Sequence, residues 1–211
     1  MQRDRYARRS VLRAGAAAVA GLVLWPLAAE AAPEDAARVV SELAGQTITL
    51  ISDESLSRPV RAERLQILIG RGFDTEAIGR FVLGRHWQNA DEPQRAAFID
   101  LFRSYTALAY ARRFEAYSGQ RLAVTGSRDI STENSTRALV NTQLKAKDGA
   151  PVKVDWRLRH GKDGWRIYDV VVEGVSMVLT QKSEFAAVIE RNGGKLQPLM
   201  DQLRDRMKEM A

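Results

Sequence analysis

The run WRIYDVVVEGVSMVL, Trp165 to Leu179, decides the fold. Five valines, an isoleucine and two aromatics make it strand-like, because β-branched and aromatic side chains pack well on a pleated surface. Asp169 and Glu173 interrupt the apolar pattern, and Gly174 and Ser176 follow at once. Over 165–174 the two-residue period puts Trp165, Ile167 and Val171 on one face and Tyr168, Val170 and Val172 on the other. A strand apolar on both faces is covered on both, so it predicts a sheet with a layer on each side of its last strand.

Working outward, the same period governs everything back to Gly119. It predicts four strands, at 121–130, 136–146, 151–160 and 165–174. Lys147-Asp148-Gly149 and Gly161-Lys162-Asp163-Gly164 are hairpin-turn signals between the last three. In the third strand Val152, Val154, Trp156 and Leu158 alternate with Lys153, Asp155, Arg157 and Arg159, which gives that strand a wet face. Upstream of Gly119 the period becomes helical. Pro33-Glu34-Asp35 suits a first turn, and Val39, Val40, Leu43, Ile48, Leu50 and Ile51 carry that helix toward Leu56. Two shorter helices are expected at 61–69 and 73–83, with Asp74 placed to cap the second. Asp91 and Gln94 form a capping box for the longest helix, whose stripe is Phe98, Leu101, Phe102, Tyr105, Leu108 and Ala109 and which ends near Tyr117-Ser118-Gly119. After the sheet, helices are expected at 183–191 and from 195 to about 207, broken by Asn192-Gly193-Gly194. Helices, then an antiparallel meander, then helices make an α+β domain: helices packed on a curved four-stranded antiparallel sheet.

The amino terminus has a different character. Five arginines within the first 13 residues precede the apolar run AGAAAVAGLVLWPLAA, and Ala29-Glu30-Ala31 follows it. That is the pattern of a cleavable export signal, expected to cover residues 1–31 and to leave 32–211 as a single domain. Arg8-Arg9-Ser10-Val11-Leu12-Arg13 fits a twin-arginine signal, although Sec signals also carry paired arginines. The whole chain carries 32 basic and 26 acidic residues, and without the segment's five arginines, Asp4 and Glu30 the excess falls from +6 to +3. Lys and Arg are interleaved with Asp and Glu, so no basic stripe exists for a nucleic acid to follow. The chain has no cysteine, which removes disulfides, thiolate metal sites and a thiol nucleophile.

Reactive constellations are scarce. His86 and His160 lack partners at metal-ligand spacing and are expected at the surface or its boundary; neither metal nor cofactor is expected. Gly70-Arg71-Gly72 lacks the further glycine and preceding strand of a phosphate loop. Ser176 has Val178 where a nucleophile elbow needs glycine. Asp169 and Glu173, four apart on a strand, would lie about 13 Å apart, beyond the roughly 5–9.5 Å of paired glycosidase acids. Two readings of Asp169 remain: a general base with Tyr168 or Tyr105 as electrophile, in an isomerase or hydrolase, or a structural anchor. The anchor reading takes Asp169, Glu173 and Gly174 together as the residues that fix the chain's exit from the strand.

Abundant apolar positions without reactive groups suggest binding. Candidate cavity residues are Phe81, Val82, Phe102, Tyr105, Leu108, Val140, Leu144, Val154, Trp156, Leu158, Trp165, Ile167, Val171, Val175 and Met177. An acyl chain suits such a lining, since each methylene removed from water is worth about 0.8 kcal/mol.

Three segments resemble the toluene-tolerance, or MlaC, family of periplasmic phospholipid carriers. They are FDTEAIGRFVLGRHW (73–87), QRAAFIDLFRSYTALAYARRFEAY (94–117) and WRIYDVVVEGVSMVLTQKSEF (165–185), and the similarity runs over about Pro33 to Arg206. The Glu173-Gly174-Val175-Ser176 signature and the Leu83-Gly84 and Trp87 pairing carry it most specifically; Gln181 and Lys182 depart from the tyrosine and arginine of several members. The resemblance implies a cone-like shell around an apolar cavity and a soluble periplasmic carrier without catalytic activity. It further implies shuttling between an outer-membrane lipoprotein complex and an inner-membrane ABC transporter with its substrate-binding subunit, in support of outer-membrane lipid asymmetry. A hopanoid-associated subgroup of the family gives a second ligand, a hopanoid in place of a phospholipid.

Overall fold

The structure, a computed structural model, describes residues 32–114, 119–145 and 150–210. The expected export signal, the far end of the long helix near 117–118 and the turn at 147–149 lie outside the described residues. Among the described residues seven helices and five strands follow in order: α1 Pro33–Ile51, α2 Arg58–Gly72, α3 Thr75–Leu83, α4 His86–Asn89, α5 Glu92–Phe114, β1 Arg121–Asp129, β2 Arg137–Lys145, β3 Val152–Gly161, β4 Gly164–Val172, β5 Val175–Ser176, α6 Met177–Arg191 and α7 Gln197–Met210. The strands pair antiparallel in sequence order, an open meander that matches the expected α+β architecture with one short strand added.

Local chemistry sets most boundaries. Asp74 accepts from the Ala77 amide at 3.1 Å and starts α3. Asp91 and Gln94 form a reciprocal capping box, each side chain accepting from the other's backbone N–H, at 2.8 and 3.1 Å. α6 stops in a Schellman motif: Gly194 N–H donates to Ile189 O at 2.9 Å and Gly193 N–H to Glu190 O at 3.1 Å, both glycines at positive φ. Two expected boundaries move by about five residues or more. α1 ends at Ile51 rather than near Leu56, because the Asp53 carboxylate holds the amide and hydroxyl of Ser55 in a turn. α6 begins at Met177, six residues before the expected start, because Ser176 caps it by accepting from Leu179 N–H at 3.1 Å.

The sheet carries one irregularity with large consequences. β4 pairs with β3 as Arg157↔Asp169 and then Leu158↔Ile167, so Tyr168 is an extra residue. The bulge reverses the parity beyond it. Val170 and Val172 therefore share the face of Ile167 and Leu158, and Val171 lies with Asp169 on the other. This corrects the grouping of Val171 with Trp165 and Ile167, since a strict two-residue period cannot register an inserted residue.

Three apolar clusters result among the described residues. The first joins the inner face of the sheet (Ala138, Val140, Val154, Leu158, Trp165, Ile167, Val170) to Ala36 and Val40 of α1. A second lies among α3, α5, α6 and α7, where Phe98 and Phe102 stack at 5.7 Å and Phe185 meets both edge-on at 6.1 Å. The third ties α2 to α1 and α5 through Leu50, Leu65, Ile69 and Ala107. Phe73, extended at the α2–α3 junction and bridged to Ile167 of β4, packs against all three. Gly79 permits the close approach of α3 to α5, since a Cβ there would collide with Ile99 Cδ1. Among the described residues no helix is long and apolar enough to cross a membrane.

Candidate functional site

The strand exit that opens the site is built from the acids of the 165–179 run. Glu173 and Gly174 have φ of 47° and 83°, the two positive values of a type I′ turn, and they fold β5 back on β4 with Val172 opposite Val175. Glu173 accepts from Lys153 N–H through its carboxylate, which ties the turn to β3. Asp169 is buried and accepts from three directions: Ser176 Oγ at 2.8 Å, Val178 N–H at 3.3 Å and the Arg157 guanidinium at 2.9 Å. Its charge sits against the N-terminal end of α6, where the helix dipole favours an anion. Ser176 is engaged twice over, donating to Asp169 and accepting from Leu179. Neither group is presented as a reactive centre.

Beside this joint lies a cavity of about 340 Å³ between β4 and helices α2, α3, α5, α6 and α7. Its depth is apolar and buried, with Ile69, Ile78, Val82 and Phe102 each under a tenth exposed. Its rim is polar: Thr106 and Gln181 are half-buried there, and Thr180, Glu184 and Arg206 are exposed. Tyr105 joins the two, its ring against the second cluster and its hydroxyl 3.5 Å from Arg206 Nη1. Small-molecule pockets are commonly built this way, with an apolar interior and a few placed polar groups.

A larger cleft, about 820 Å³, opens at the other end of the sheet between the β1–β2 and β3–β4 turns and the α2–α3 junction. Its walls are mostly polar; within them Arg159 pairs with Asp74, and Arg166 donates to Gly70 O at 2.8 Å. Size alone therefore does not select the site; the smaller cavity has the apolar depth.

The histidines have separate fates. His160 meets Trp165 edge-on at 5.3 Å on the sheet. His86 is buried in α4, not at the surface or its boundary, and neither ring nitrogen has a hydrogen-bond partner among the described residues. Among the described residues no group of three or more His, Asp or Glu side chains could hold a metal ion.

With the geometry fixed, comparison with known proteins is direct. The chain matches the MlaC protein family over residues 41–205. It belongs to that family. Two curated relatives of the MlaC type are the intermembrane phospholipid transport system binding protein MlaC of Haemophilus influenzae and the toluene tolerance protein ttg2D of Pseudomonas putida. The first is 28% identical over 120 residues, covering 56% of each chain. The second is 23% identical over 140 residues, covering 66% of this chain and 64% of the relative. The match thus spans less than two thirds of the length of either relative. Among solved structures, a phospholipid-binding protein from Ralstonia solanacearum in complex with a phospholipid shares the fold with a TM-score of 0.70 and 23% identity, covering 83% of this chain and 98% of that one.

Within this MlaC fold, the residues singled out from sequence scatter. Val82, Phe102, Tyr105 and Met177 line the 340 Å³ cavity, and Asp169 forms part of its wall. Val140, Val154, Leu158, Trp165 and Ile167 lie in the packed core between the sheet and α1, with Leu144 and Trp156 half-buried at its margin. Val171 is buried on the opposite face of β4, and Leu108 is half-buried on α5. Phe81 and Val175 face solvent, 44% and 54% exposed. The cavity also takes in Ile69, Phe73, Ile78, Ala109, Tyr110, Val170 and Val178, which the sequence list omits. Ala109 already stood on the predicted stripe of the long helix; Val170 was hidden by the bulge. The polar rim is gathered from α5, α6 and α7 and has no local sequence signature.

Proposed function

We propose that this chain is a periplasmic lipid carrier which encloses the acyl part of a phospholipid and ferries it between an outer-membrane lipoprotein complex and an inner-membrane ABC transporter with its substrate-binding subunit. Maintenance of outer-membrane lipid asymmetry is the corresponding role. The observation that carries this reading is the cavity's gradient from buried apolar depth to exposed polar rim. An amphiphile fits it tail first, with its headgroup at Tyr105, Gln181 and Arg206. The physical need is plain: at about 0.8 kcal/mol per methylene, a membrane lipid does not leave its bilayer for water unless its chains are covered.

Membership of the MlaC family supports the reading, as do the names of the relatives and the lipid held by the structural neighbour. The engagement of Asp169 and Ser176 supports a carrier over an isomerase or hydrolase, since both oxygens of the buried carboxylate and the serine hydroxyl already serve as fixed partners of the β4–α6 joint. At roughly 30 Å³ per methylene-sized group, about the share of one water in the liquid, a volume of 340 Å³ covers most of one acyl chain. Two chains enter only as the walls move apart.

Purification of the chain from its host without detergent, followed by solvent extraction and mass spectrometry, tests the proposal. About one diacyl phospholipid per chain is the expected result; an empty protein contradicts it, and a stoichiometric hopanoid replaces the ligand while keeping the carrier.

A further inference from the structure

The rim of the cavity carries an arginine without an anionic partner. Along α7 the other two cations are paired, Arg204 with Asp201 at 2.7 Å and Lys208 with Asp205 at 2.8 Å. Arg206, on the same helix and at the cavity mouth, has no carboxylate within ion-pair distance among the described residues; its polar contact is the Tyr105 hydroxyl at 3.5 Å. That geometry leaves the guanidinium's planar set of N–H donors free toward the mouth. A guanidinium matches a phosphate in two-pronged fashion, and such charge-assisted hydrogen bonds are stronger than neutral ones. One carboxylate, Glu184, stands on the same rim and accepts from the Gln181 amide at 3.3 Å, so a headgroup with several negative charges is disfavoured there.

We propose that Arg206 reads the headgroup of the bound lipid, taking one phosphodiester oxygen pair at the cavity mouth with the Tyr105 hydroxyl beside it, and so selects phosphoglycerides over neutral lipids of equal tail length. The inference rests on the carrier reading and adds its ligand chemistry. Tails supply affinity in the depth of the cavity, and Arg206 supplies discrimination at its mouth. A neutral lipid, whether a diacylglycerol or a polycyclic alcohol, leaves the arginine without its anion.

The test uses the full chain and two fluorescent lipids with the same labelled tail, a phosphatidylglycerol and a diacylglycerol, titrated at low and high salt. The wild type is expected to prefer the phosphatidylglycerol about tenfold, the scale of one charge-assisted contact at a partly solvated site. The preference shrinks in high salt, as an exposed charge pair requires. R206Q brings the ratio of the two affinities close to one, and R206K keeps part of it, because a lysine retains the charge without the planar fork. R204Q, on the same helix but paired with Asp201, retains the wild-type ratio. A tenfold ratio that survives R206Q, or a wild-type ratio of one with both lipids bound, overturns the assignment. Binding of neither lipid by the wild type instead removes the phospholipid-carrier reading, and the headgroup assignment with it.

Discussion

The sheet's inner face and the helical cluster beside it bury comparable kinds of side chain but finish the job differently. Against α1, Val140, Leu158 and Ile167 are wholly buried, and the Thr142 hydroxyl beside them donates to Val154 O at 2.7 Å and accepts from Trp156 Nε1 at 3.0 Å, while Trp165 Nε1 has no partner among the described residues. Among α3, α5, α6 and α7, Phe98, Phe102 and Phe185 pack ring to ring, yet a 340 Å³ space remains between Phe102 and β4. Protein interiors are normally close-packed, so a space lined by buried apolar residues is a feature that the surrounding elements hold open. β4 stands at the border. Its Leu158-facing side closes the core, and its exit at Asp169 and Ser176 fixes where α6 stands and hence the cavity wall. The difference teaches that the apolar face of the sheet is structure, while the proposed binding surface is where packing stops.

Leu158→Ala probes the closed side with the largest expected effect. The side chain is fully buried between β3 and α1, so deletion should cost about 3–5 kcal/mol of unfolding free energy by urea denaturation. Lipid content per folded chain should stay at the wild-type level. Loss of lipid at full stability would move the site onto the sheet core and erase the contrast.

Asp169→Ala probes the border. It strands the Ser176 hydroxyl, the Val178 amide and the Arg157 guanidinium, and since Arg157 is part-exposed and finds water, the cost should be about 2–3 kcal/mol. Asp169→Asn keeps one acceptor and should lose less in the same denaturation series. Abolished function in Asp169→Asn with unchanged stability and unchanged lipid content would revive the catalytic reading.

Gly174→Ala gives the smallest effect. No atom would meet the added Cβ within 4 Å, so only the left-handed φ opposes it, at about 1 kcal/mol in the same assay. A loss of several kcal/mol would mean that the turn contributes more to the position of α6 than its local strain.

How far the chain could be read without coordinates differs between these regions for physical reasons. The strands of the sheet were legible because alternation and glycine turns are local, and Asp74, Asp91 and Gln94 announced their helices because capping is a matter of three neighbouring residues. The bulge at Tyr168 left no compositional mark, so the side of Val171 was read wrongly. Ser176 lay in a valine-rich run that conceals a helix start, and its cap could be recognised only once Leu179 turned back toward it. The cavity was the least legible part. Its mouth joins Thr106, Gln181 and Arg206, separated by tens of residues, and proximity of that kind is created by folding rather than written in any window of sequence.

Val82→Trp tests the central claim most directly. Val82 is 1% exposed and lines the cavity, so an indole there occupies space that the account reserves for an acyl chain. Phospholipid per chain, measured by mass spectrometry after detergent-free purification of wild type and variant side by side, should fall from about one to near zero while the variant stays folded by circular dichroism. A folded Val82→Trp protein that still carries one phospholipid per chain would contradict the claim that this cavity is where the lipid is held.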